Sequence, residues 1–194
     1  MLFSFLKKKS VETMLEEAAE VGIALRPGVE SQRLWARSSK AQIESGGFLI
    51  FLCHMGDEDY PAGVEPLSDD IWHFDVEAIN DHGDYTYIVE NCCRLTGGDL
   101  KFERVTDHVD VANEIAFAEI TSNDHVERVN LKVDNDWVDE KIFKFLIDRL
   151  AATGSKRQFA GHTPGQDMLM ICKTPDEIRA ISRATGLRFN FPIC

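Results

Sequence analysis

Residues 71–78 read Ile-Trp-His-Phe-Asp-Val-Glu-Ala, and this alternation constrains the fold more than any other stretch of the chain. Side chains along a strand point to opposite faces in turn. Trp72, Phe74, Val76 and Ala78 therefore share one face, and His73, Asp75 and Glu77 share the other. On a helix both sets would be spread round the circumference. The pattern predicts a half-buried strand and a sheet with one wet side.

The rest of the chain supplies helices and further strands. Met14, Leu15, Ala18 and Ala19 recur at helical spacing after Ser10, a good cap, and Gly22 stops the run. Residues 29–43 have few apolar positions and read as a weak helix or flap. Gly46-Gly47 opens the continuous apolar run 48–53, which reads as a central strand. Residues 56–70, rich in acid, Gly and Pro, read as a long loop. Asp84 is placed to cap a helix over 85–95, with Tyr85, Ile88, Val89, Cys92 and Leu95 as its apolar stripe and Gly97-Gly98 as its stop. A short strand is expected over 100–105. A hairpin follows over 114–121 and 125–133, turning at Ser122-Asn123-Asp124.

Asp136 reads as the cap of a helix over 138–152. A second hairpin, 156–161 with 168–172, turns at Thr163-Pro164-Gly165. Thr174-Pro175-Asp176-Glu177 starts a last helix, with a capping Thr, Pro in the first turn and Glu closing the box. A final strand is expected over 187–191. The order strand, Asn-Asp, helix, Thr-Gly occurs at 71–97 and again at 129–154, an echo that ordinary capping chemistry is enough to explain. Together these elements predict an α+β fold. It is a mixed, largely antiparallel sheet with helices mainly on one face, built as an N-terminal helical extension over 1–45 and an α+β domain over 46–194.

Composition limits function. The 194 residues are 44% hydrophobic and 28% charged, as in a globular domain. A formal net charge of -12 opposes phosphate backbones and anionic bilayers, which argues against nucleic acid or a membrane as partner and favours a basic protein. No apolar run approaches the ~20 residues that span a bilayer. The charges of Lys7, Lys8 and Lys9 follow the short apolar opening and do not precede it, unlike a secretory signal. The five cysteines are odd in number and contain no C-x-x-C pair. Both features predict a reduced thiol set and a cytoplasmic location.

Two chemistries compete. His73, Asp75 and Glu77 follow one another at about 7 Å intervals along one strand face, where a metal ion and a hydrolytic water could be held. Against that, Asp57, Glu58, Asp59, Tyr60, Asp69, Asp70 and Trp72 place acids beside aromatic rings, the composition of a surface for a basic protein. Other motifs fail. Asp134-Asn135-Asp136 lacks the Gly and Glu of a calcium loop. There is no G-x-S-x-G elbow and no glycine-rich phosphate loop. Cys53 and His54 should point to opposite sides of a strand. No cofactor is expected.

In general type, without a defining motif, the chain resembles the small acidic α+β immunity proteins of bacterial toxin systems. That resemblance implies a non-enzymatic binder that blocks a basic toxin through residues 56–70 and their flanks.

Overall fold

The computed structural model describes residues 8–36, 38–57 and 66–190. In chain order its elements are α1 (Val11–Glu20), a 3-10 turn (Ser31–Trp35), α2 (Lys40–Gly56), β1 (Trp72–Asp75), α3 (Asp84–Leu95), β2 (Arg104–Asp110), β3 (Ile115–Ser122), β4 (His125–Leu131), α4 (Lys141–Ala152), β5 (Gln158–His162), β6 (Asp167–Lys173) and α5 (Pro175–Thr185). The fold is α+β. Its strands form two three-stranded antiparallel sheets, in the orders β1-β6-β5 and β2-β3-β4.

β6 explains how the molecule is layered. Every residue from Met168 to Lys173 is buried, so the strand has no wet face. Met168, Met170 and Cys172 join Trp72, Phe74 and Phe159 in a cluster with α3, α4 and the inner face of the second sheet. Leu169 and Ile171 join Ala160 in another cluster with α1, α2 and α5. The first sheet is thus covered on both sides. The face of β1 that carries His73, expected to be wet, lies beneath the end of α2.

The run 48–53 is a correction: it is helix, not strand. Phe48, Phe51, Leu52 and Met55 are buried at helical spacing, while Ile50 is 37% exposed. A short apolar run fits a buried helix as well as a buried strand, so its composition could not decide. Gly46-Gly47 does not end an element either. Gly47 takes φ +62 as a kink inside α2, a conformation that a side chain would strain. Ser39 caps this helix in a box with Gln42. α2 runs across the 45/46 boundary, and Val11, Met14 and Ala18 of α1 are fully buried in the cluster of Leu169 and Ile171. The stretch 29–43 is no flap, since Leu34 and Ile43 are buried in the same cluster.

Two further expectations change for backbone reasons. Asp136 does not cap α4. The Val138 N–H donates to the Val76 carbonyl and the Asp136 carbonyl accepts from Ile79, so 136–138 is held alongside the end of β1 and the helix begins at Lys141. The final strand reduces to an isolated bridge between Gly161 and Asn190. Both hairpins and the Thr174 capping box form as read. The echo is also present in space: β1-α3-β2 passes from the first sheet to the second, and β4-α4-β5 passes back.

Candidate functional site

β1 has β6 on one side and, among the described residues, no strand on the other. Around this edge runs a cleft of about 340 Å³. Its walls come from Asp57 at the end of α2, from Trp72, His73, Phe74 and Asp75 of β1, from Asp84, Tyr87 and Ile88 of α3, and from Asp167 of β6. Gly56 sets the approach of α2. A Cβ there would lie 2.8 Å from the His73 nitrogen and 3.0 Å from Trp72 Cα, so only glycine lets the helix end meet the strand backbone.

The cleft is anionic: four aspartates and a single imidazole line it. Asp75 and Asp167 are paired residues in the β1–β6 register, so two like charges sit directly opposite across the ladder. Such pairs destabilise a sheet unless a cation intervenes. His73 supplies part of that cation. Its Nε2 lies 3.3 Å from Asp167 and its Nδ1 3.8 Å from Asp57, charge contacts not aligned as hydrogen bonds. Burial pushes the ring pKa down. The Asp57 carboxylate, the neighbouring Cys53 and the Asp167 charge outweigh it and raise the value to about 10. At that value the His73 ring carries a positive charge at neutral pH.

The aromatic part of the site is internal. Trp72 is fully buried, stacked on Phe74 at 3.9 Å and edge-on to Tyr87 at 5.8 Å. Its indole Nε1 is buried without a hydrogen-bond acceptor among the described residues.

Among the residues expected to form a binding surface, Asp57 and Trp72 line the cleft, and Glu58, Asp59 and Tyr60 lie outside the described residues. Asp69 and Asp70 pair with groups of the chain itself. Asp69 lies 3.3 Å from Arg26 and 3.9 Å from Arg94. Asp70 accepts from Lys173, a buried lysine, at 2.5 Å and from the Ala24 N–H at 3.0 Å. These two acids tie the strand entry to distant segments.

The trio His73, Asp75 and Glu77 does not converge. Asp75 accepts the Glu77 N–H at 2.8 Å, and Glu77 accepts from Gln166. Among the described residues no group of three or more His, Cys, Asp or Glu side chains is arranged to hold a metal ion. Burial raises the Cys93 and Cys172 thiols to about 12 and lifts Cys92 well above its ordinary value, so all three stay protonated.

No sequence pattern marks Asp84 or Asp167 as a site residue. Asp84 looks like a helix cap in the sequence, and it does accept the N–H groups of Asn80 and Asp81 at 2.7 and 2.9 Å. Asp167 follows a turn, and only the strand register reveals that it faces Asp75. No helix among the described residues is long and apolar enough to cross a membrane. No family model, curated protein or solved structure matches the chain, so the functional reading rests on the geometry of the cleft.

Proposed function

We propose that the protein is a non-enzymatic binding module that takes a basic protein surface, with an Arg or Lys side chain of the partner entering the acidic cleft at the edge of β1. The observation that carries this reading is the opposed pair Asp75 and Asp167 in a cleft that also holds Asp57 and Asp84. A guanidinium or ammonium group between them would relieve a repulsion that His73 offsets in part. Phe74 and Tyr87 would pack the aliphatic stem of such a side chain. The net charge of -12 would steer a basic partner to the surface. Blockade of a basic toxin, as by an immunity protein, is the form of this function that fits a small acidic α+β chain. Metal-assisted hydrolysis at His73, Asp75 and Glu77 has no converging ligand set behind it among the described residues.

The test is titration with a short Arg-rich peptide. Asp75→Lys should raise Kd by about tenfold, the loss of one charge-assisted contact. Glu16→Lys, an equal change of net charge on the exposed side of α1, should raise it far less. Equal effects of the two reversals would mean that bulk charge and not the cleft binds the peptide, and the reading would fail.

A further inference from the structure

A second cleft lies elsewhere, between α4, the α3–β2 connection and the tip of the β3–β4 hairpin, and has a volume of about 610 Å³. That volume is within the range of small-molecule sites, roughly 300–1,000 Å³. Its floor is aromatic. Phe102 and Phe145 lie 6.2 Å apart with their rings inclined at 31°, and both are only partly buried. The walls are held in place. The Asn123 N–H at the hairpin tip donates to Glu103 at 2.8 Å, and Arg149 on α4 pairs with Glu127 on β4 while lying over the Phe145 ring at 5.1 Å.

The charges in this cleft divide in an informative way. Both of its acids are already engaged: Glu127 with Arg149, and Asp99 with the Ser155 hydroxyl at 2.7 Å and the Arg157 guanidinium at 3.8 Å. Lys101 and His125 also line it, and neither has an acidic partner among the described residues. In a chain of net charge -12, the ionisable groups of this cleft without an acidic partner among the described residues are a lysine and a histidine. We propose that this cleft is a binding site for a small organic anion with an aromatic body, its ring on Phe102 and Phe145 and its anionic group held by Lys101 and His125. The site is separate from the cleft at β1 and does not depend on the function proposed for it.

The probe is anilinonaphthalene sulfonate, an aromatic anion whose fluorescence rises on binding, compared with its uncharged parent N-phenylnaphthylamine. The folded protein should bind the sulfonate saturably at about one dye per chain. Lys101→Glu should weaken it by about tenfold or more, Lys101→Arg should restore it, and the uncharged dye should bind less tightly. Lys101 is exposed, so its variants should fold, and their thermal transitions should match the parent protein. Absence of saturable binding overturns the proposal. So does a Lys101→Glu, His125→Ala double variant that binds as the parent does, because the dye would then lie elsewhere. Equal affinity for the uncharged dye would remove the anion from the proposal and so overturn it as stated.

Discussion

His73 is the residue whose chemistry changes most between sequence and structure. On the strand pattern it is an imidazole on a wet face. In the fold it is a half-buried cation between Asp57 and Asp167. Its folded pKa of about 10 lies above the unfolded value, so its contribution to stability is fully present below about pH 6.5. The contribution is lost as pH rises from there through about 10. Screened by solvent, it should amount to about 1–3 kcal/mol. Denaturant unfolding across this window should show stability falling as pH rises, and His73→Gln should flatten that fall. A proton NMR titration that finds His73 deprotonating near its ordinary value would contradict the assignment. Nothing in the residues around position 73 foretells this, because Asp57 and Asp167 are far away in sequence and reach the ring from α2 and β6.

At the scale of elements, two junctions carry the site. The N-terminus of α3 is capped from another strand. Asp107 on β2 accepts from Gly83 at 2.6 Å, Tyr85 at 2.7 Å and Thr86 at 3.1 Å, where the sequence alone points to Asp84 as the cap. A carboxylate that satisfies free amides and faces the positive end of a helix contributes about 1–2 kcal/mol. Asp107→Ala should lower stability by about that amount, and a neutral result would show the contact to be incidental. The second junction is α2 on β1. Gly56→Ala places a methyl group against the backbone of Trp72 and His73 and should cost about 1–3 kcal/mol in thermal or denaturant unfolding, because backbone cannot yield as a flexible side chain can. The helix stop signals, the hairpin turns and the Thr174 box were legible, since each depends on residues within a few positions of one another. The run 48–53 was not, because its state is set by what covers it.

On the scale of the whole molecule, β6 belongs to both apolar clusters, so neither should unfold alone. Ile171 is fully buried on the side of α1, α2 and α5. Ile171→Ala should cost about 2–5 kcal/mol. The loss should appear in the hydrogen exchange of α4 amides, on the opposite side of the sheet, as much as in those of α5. A loss confined to α5 would divide the protein into two cooperative units. The acidity of the chain is also apportioned at this scale. Asp69 and Asp70 are used for pairing within the chain, four aspartates collect at the edge of β1, and the cleft beside α4 keeps Lys101 and His125 without an acidic partner among the described residues. Net charge is a sum and carries no information about this division.

The amino-acid sequence by itself determined the α+β class, the strand at residue 72, the two hairpins and the caps of the first and last helices, because periodicity and capping act between neighbours. Tertiary structure alone decided that the face of His73 would be covered, that residues 48–53 would be helix, and that Asp75 would meet Asp167. Each of these depends on contacts between segments remote in sequence, and on water being excluded where they meet, which no local pattern records.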